Sequence, residues 1–301
     1  MDAVIRESGG AVSALREPGP LTSALLLARP GLLVMVAMSG LAGMVLGFRG
    51  APEGFTALAC AVALILAAAG SVMLNSVFDY PFDLRMARLR ERTRALERLG
   101  RTRTARIALL LIAAGVGISF RFLSPLSGLL ILAAAFWYVV PYTLRLKRNS
   151  PFGAVAGGVP GAIPVLVGYS AVNGSIGPDG FILFLLVLLW QPPHFWTLAL
   201  RHREEYRAAG FPVLPVAMGE GYVKLLIFLY ASALPPLSIA LWYFGFCSDR
   251  YGVAAFLLGM LFLAVSFLLI VLRSRFGPAF RATNWYLASL LALMIGDICF
   301  R

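Results

Sequence analysis

The sequence predicts an all-α polytopic membrane protein of a single domain, and three observations predict it. Sixty per cent of the 301 residues are apolar and only 13% are charged, and the mean hydropathy of +0.84 lies well above that of a soluble domain. Apolar runs of the roughly 20 residues that a bilayer crossing needs recur along the whole length. The connectors between them are short and rich in Gly, Pro and Arg. Helices are the physical default for such runs, because open strands in lipid leave backbone N–H and C=O groups unpaired.

Nine spans are expected, at about 31–49, 55–78, 105–120, 124–142, 152–172, 180–200, 222–245, 252–272 and 282–299. Residues 1–24 are expected to form a cytoplasmic tail ahead of one intramembrane domain at 25–301. Residues 1–30 mix Arg6, Arg16 and Arg29 with Asp2, Glu7 and Glu17. They lack the compact apolar core and small-residue cleavage site of a signal peptide, and the acids argue against a transit peptide.

Charge sets the orientation. With the N-terminus inside, 22 of the 26 Lys and Arg fall in inner connectors, and only Arg49, Arg121, Arg250 and Arg301 fall in outer ones. The positive-inside rule therefore puts the N-terminus and the long loops in the cytoplasm and the C-terminus outside. A prokaryotic plasma membrane is the expected location. This asymmetry accounts for the net charge of +12 without nucleic-acid binding. Cys60, Cys247 and Cys299 show neither metal nor disulfide spacing and read as small buried residues.

The first span ends in a plain outer turn, "FRGAPEG". The second leaves the membrane on the other side in "NSVFDYPFDLRMARLRER". Asn75, Asp79 and Asp83 follow an i, i+4, i+8 spacing and share one helix face. Two carboxylates and an amide oxygen suit a hard cation that shares phosphate oxygens, the usual habit of Mg²⁺. Arg85, Arg88, Arg90 and Arg92 follow directly, and guanidinium forks match phosphate geometry. A solvated membrane exit explains the arginines equally well. It explains less well two aspartates on one face when the chain holds only 14 acids. Pro81 removes one helical hydrogen bond and is expected to kink this exit.

The third and fourth spans lead to Tyr142, Arg145, Lys147 and Arg148 at an inner helix end, where Lys147 and Arg148 are placed to touch a diphosphate from a second direction. "GAVAGGVPGAIP" then opens the fifth span, and its small residues favour close helix packing over a phosphate cradle. The sixth span ends in "QPPHFWTLALRHREEYRAAGFPVLPVAMG". Pro192 and Pro193 are expected to break or kink it. His194 follows, an ionisable group inside a span and a functional candidate, with a neutral His bonded to a neighbouring helix as the plainer reading. Glu204 and Glu205 with Arg201, Arg203 and Arg207 repeat the theme of acids beside arginines, which is expected to bring both inner loops over one cavity. The last three spans are plain except for Asp297, near an outer end.

Three blocks together resemble the UbiA-like intramembrane prenyltransferases, from about residue 25 to the end. "NSVFDYPFDLRM" is similar to the family's Asn-x₃-Asp-x₃-Asp-x₂-Met motif. "YTLRLKR" with "GGVPGAIPVLVGYSAVNG" is similar to its junction of fourth and fifth spans. The "QPPHFW…" block, with its acidic-Tyr and Leu-Pro-Val, resembles the branch whose acceptor is haem rather than a quinone precursor.

The resemblance implies nine spans around a central cavity, farnesyl diphosphate held through Mg²⁺, and haem B as acceptor. It implies Asn75, Asp79, Asp83 and Glu205 as metal ligands, and Asn75, Arg88, Arg92, Tyr142, Lys147 and Arg148 around the diphosphate. Asp79, Asp83, His194 and Glu205 would form the catalytic set, with Tyr142, Phe195 and Trp196 as aromatic faces for an allylic cation. A haem A synthase or oxidase assembly proteins would be possible partners within the bilayer. Leu89, Thr93, Gly153 and Glu205 depart from the family pattern. Transfer to a quinone precursor or other aromatic acceptor is the rival reading, and a secondary transporter is another.

Overall fold

The computed structural model describes residues 19–301. The expectations for the first 18 residues of the tail, a missing signal peptide among them, lie outside the described residues. Among the described residues, nine helices are long and apolar enough to cross a membrane.

A short helix α1 (Pro20–Ala28) precedes the first span, α2 (Pro30–Phe48). Both begin with Pro, whose fixed φ suits the first helical position and whose missing N–H is not needed there. Between them Arg29 adopts φ 56°, ψ 71°, the left-handed conformation that closes α1. The second span α3 (Gly54–Asp83) runs to the second aspartate, past the expected end at residue 78. Pro81 lies within it and does not end it, since a proline in the last turn forfeits a single hydrogen bond. A short amphipathic helix α4 (Arg90–Leu99) then lies against α1, where Leu27, Ala95 and Leu96 share one core with Met73, Leu74 and Val77 of α3.

The chain continues through α5 (Arg101–Phe122), α6 (Pro125–Asn149) and α7 (Gly153–Asn173). The last turns of α6, Tyr138–Leu146, are π-helical around Pro141, a local widening of the kind that recurs at functional sites. The sixth span α8 (Pro178–Arg201) stays one continuous helix through Pro192 and Pro193. Of the break or kink expected there, the break does not occur, and the hydroxyl of Thr197 donates to the carbonyl of Pro193 at 2.6 Å. The loop after α8 holds α9 (Arg203–Ala209) and α10 (Leu214–Ala217). The last spans are α11 (Glu220–Tyr243), α12 (Asp249–Leu272) and α13 (Phe276–Cys299).

The tightest junction joins α2 to α7. A Cβ on Gly168 would lie 1.8 Å from the carbonyl oxygen of Gly40, and one on Gly43 would lie 2.0 Å from that of Val165. Only glycine lets the two backbones meet this closely, which is how helices associate where no hydrophobic force acts between them. The outer surface of the bundle is apolar, with Leu110, Val253, Leu257 and Leu261 more than half exposed, as lipid contact requires.

Candidate active site

Two motifs in the sequence meet at the Lys- and Arg-rich end of the bundle. The last turns of α3 carry Asn75, Asp79 and Asp83, all buried. The end of α6, displaced by its π-helical turns, brings Thr143, Lys147 and Arg148 against them. Asn75 Nδ2 donates to Asp79 Oδ2 at 2.7 Å and to Thr143 Oγ1 at 3.1 Å. Lys147 Nζ forms a short ion pair with the same Oδ2, and Arg148 reaches Oδ1 at 3.5 Å while donating to the carbonyl of Phe78 at 3.0 Å. Asp79, fully enclosed, is thus held by an amide and two cations, the pairing that a buried carboxylate needs. The Asp83 carboxylate makes no hydrogen bond or ion pair among the described residues, although Lys147, Arg29 and Arg92 lie close enough to act on it.

Arg29 belongs to this cluster and sequence reasoning missed it. Its guanidinium donates to Asn75 Oδ1 at 3.0 Å across 46 residues of sequence. The left-handed backbone at position 29, costly for a residue with a Cβ by about 1–3 kcal/mol, aims it there. The available signal was an Arg directly before a Pro at the membrane border. Arg92 approaches from α4. Burial, and then the positive charge of Arg29, push its guanidinium down to about 10. The Nε atoms of Arg29, Arg92 and Arg148 are all buried without a hydrogen-bond partner among the described residues. Buried donors on neighbouring cations, left unpaired, suit a multivalent anion.

The loops that follow the second and sixth spans do meet. Met86 and Leu89 share a core with Ala199, Tyr206, Ala209 and Phe211, and Arg88 lies over the Tyr206 ring at 5.1 Å. Arg88 Nε is 3.1 Å from Glu205 Oε2, an ion pair out of hydrogen-bond alignment, since that oxygen has no hydrogen-bond partner. Glu205 therefore faces Arg88 and not the aspartates. Among the described residues no three His, Cys, Asp or Glu gather as one cluster; of the four residues expected to hold a metal, Asn75, Asp79 and Asp83 stand on α3 and Glu205 stands on α9. The departures from the family pattern are accommodated locally: Leu89 packs in the shared core, and a Cβ on Gly153 would meet the carbonyl of Leu146 at 2.8 Å.

Beneath the charged cluster lies a cavity of about 950 Å³. Ser71 and Val72, one turn below Asn75, line it, as do Gly31 and Leu32 just past Arg29. Tyr138, Gln191, His194 and Asn284 add further polar groups to its lining. The rest of the wall is mostly apolar, the usual character of a small-molecule site. His194 lies between Trp190 and Phe280, its ring centroid 4.4 and 4.6 Å from theirs. Of the aromatic residues expected to steady a cation, none lines the cavity. Trp196 is buried in a separate core with Leu200 and Leu214, Phe195 packs toward Tyr206, and Tyr142 sits behind Tyr138 at 5.6 Å. The helical phase decides this: Tyr138, Trp190, Phe280 and Trp285 face inward instead.

Comparison with known proteins places the chain in one family. Residues 36–290 match the model of the UbiA prenyltransferase family. A protoheme IX farnesyltransferase of Geotalea uraniireducens is 49% identical over 258 residues, 86% of this chain and the whole of that protein. Among solved structures, a digeranylgeranylglyceryl phosphate synthase superposes with a TM-score of 0.76 at 17% identity, covering 94% of this chain and 99% of that one. A UbiA homologue of Archaeoglobus fulgidus bound to DMAPP and Mg²⁺ gives 0.65 at 14% identity, covering 90% and 99%.

Proposed function

The chain belongs to the UbiA prenyltransferase family, and we propose that it transfers the farnesyl group of farnesyl diphosphate to a vinyl group of haem B. Water enters the product, which is haem O, and diphosphate is released. One observation carries this reading: a row of acids and unpaired guanidinium donors caps a large apolar cavity. An amphiphile with a charged diphosphate head and an apolar tail fits such a site. The 49% identity to a farnesyltransferase of protoheme IX supports haem as the acceptor.

The residues fit a divalent cation. Asp79 and Asp83 stand one helical turn apart on one face, Asp83 makes no hydrogen bond among the described residues, and guanidiniums suited to phosphate adjoin them. Asn75, Asp79 and Asp83 would hold Mg²⁺, with Lys147 giving up its hold on Asp79. Bound there, the ion would supply positive charge against the departing diphosphate. Arg29, Arg92, Lys147 and Arg148 bind the phosphate oxygens and stabilise the charge that grows on them as the C–O bond breaks. Arg88, on the loop that follows α3, pairs with Glu205 of α9 and ties the two loops together beside the site.

The electron pair leaves with the diphosphate, and an allylic cation remains at the head of the chain. The apolar wall keeps water from that cation, and the faces of Tyr138 and Trp190 lie where they can steady it. The vinyl group attacks and forms the carbon–carbon bond. Water then adds to the porphyrin-side cation and loses a proton. The Lys- and Arg-rich end of the bundle, which holds the site, is the cytoplasmic end in this account, and the C-terminus lies outside.

Purified protein offered haem B and 4-hydroxybenzoate in separate reactions with farnesyl diphosphate tests the acceptor. Prenylation of haem alone is expected. Prenylation of 4-hydroxybenzoate with haem untouched would move the protein to the quinone-precursor branch.

A further inference from the structure

The hydrogen bonds around His194 fix which ring nitrogen carries the proton. Thr283 Oγ1 lies 2.8 Å from the carbonyl oxygen of Phe280 and 2.8 Å from His194 Nδ1. A hydroxyl has one hydrogen, and a carbonyl only accepts, so that hydrogen goes to Phe280. The close approach of Nδ1 to Oγ1 then requires Nδ1 to be the donor. In a neutral imidazole this leaves a bare lone pair on Nε2. His194 lines the cavity, and Nε2 makes no hydrogen bond among the described residues.

The ring is also locked in plane. Trp190 stacks on it at an interplanar angle of 21° and Phe280 at 29°. Trp190 is itself anchored, its Nε1 donating to the backbone carbonyl of Thr283 at 2.8 Å. One residue of α13 thus fixes both the imidazole, through its hydroxyl, and the imidazole's neighbour, through its carbonyl. A metal-binding His characteristically donates its second N–H to a fixed oxygen in this way, which sets tautomer and orientation together. No cavity-lining residue carries a thiol or a carboxylate, and His194 supplies the cavity's one imidazole. Met35 and Tyr138 are the other groups there that are able to bind iron.

We propose that His194 Nε2 is an axial ligand of the acceptor's iron, with Thr283 as the positioning residue that holds its tautomer. The proposal rests on haem as the acceptor. It gives the haem a fixed point seven residues, about 10 Å along the axis, inside the end of α8. The remainder of the macrocycle then lies within reach of the diphosphate end.

The chain has two histidines, His194 and His202, so labelling is direct. Protein without a polyhistidine tag, grown with ¹⁵N-histidine and loaded with ferrous haem B, is examined by resonance Raman spectroscopy. An iron–imidazole stretch that shifts with the label is expected. It should persist in His202→Asn, vanish in His194→Ala and return on adding free imidazole to that variant. Thr283→Val should keep the mode but move its frequency, because the Nδ1 hydrogen bond is lost. Bound haem with no label-sensitive mode, or a mode surviving in His194→Ala, would overturn the assignment and leave the acceptor standing. The wild-type measurement decides this even if His194→Ala does not fold. Failure of the wild-type protein to bind haem at all would overturn both.

Discussion

Arg92→Met is expected to make the ligand-free protein more stable and the diphosphate site weaker. The Arg92 guanidinium is largely buried, its Nε has no partner, and Arg29 faces it with a second unpaired Nε. The fall of this guanidinium from its ordinary range to about 10 corresponds to roughly 3 kcal/mol against the charged form. Solvent at the exposed edge and side-chain relaxation remove part of that, leaving a gain of about 1–2 kcal/mol when methionine keeps the apolar stem and drops the charge. At ~2–4 °C per kcal/mol, the melting midpoint in detergent should rise by several degrees.

Inorganic diphosphate with Mg²⁺ reverses the comparison. Wild-type protein at a hundredfold excess over Kd should gain about 2.7 kcal/mol. The variant, lacking a charge-assisted donor pair, should bind at least tenfold more weakly and gain correspondingly less. The assay is thermal unfolding with and without ligand, on both proteins. A variant less stable than wild type without ligand, yet equally stabilised by diphosphate, would refute the reasoning and make Arg92 a structural residue.

Asp79→Asn and Asp83→Asn should each lower kcat by about 10²–10³, read by diphosphate release; turnover within tenfold of wild type in both would remove the aspartates from the mechanism. Lys147→Met should destabilise the fold by about 1–3 kcal/mol, since Asp79 keeps only Asn75 and Arg148. The double variant with Asp79→Asn should recover much of that stability and none of the activity, which a double-mutant cycle measures. Gly168→Ala should cost more than ~3 kcal/mol or prevent folding, because its Cβ would meet the Gly40 carbonyl at 1.8 Å. Gly296→Ala, with open space around it, should be neutral or stabilising by up to about 1 kcal/mol.

The number and order of the spans were legible because span length and apolar composition are local properties. The acid face was legible for a similar reason: the spacing of Asn75, Asp79 and Asp83 is a statement about one helix. The features that escaped the sequence depend on relations between helices. Arg29 joins the site through a left-handed residue whose value appears only when Asn75, 46 positions away, is beside it. Glu205 carries the right charge for a metal ligand, but the register between the two inner loops gives it to Arg88. Pro81 reads as a kink and Pro192 and Pro193 as a break or a kink, and each helix continues through its prolines without a break. The π-helical turns of α6 rotate the residues C-terminal to them about the helix axis, and Lys147 and Arg148 thereby come to face Asp79. No pattern in "YVVPYTLRL" announces that widening.

The central claim is that the acids and arginines at the inner end form a site for a diphosphate and a metal, serving prenyl transfer to haem. Mass analysis of haem, after incubation of the purified protein with haem B, farnesyl diphosphate and Mg²⁺, tests it most directly. The account predicts a gain of one farnesyl group plus water, abolished by EDTA and restored by added Mg²⁺. Haem of unchanged mass in the Mg²⁺-containing reaction, or a gain indifferent to EDTA, would contradict it.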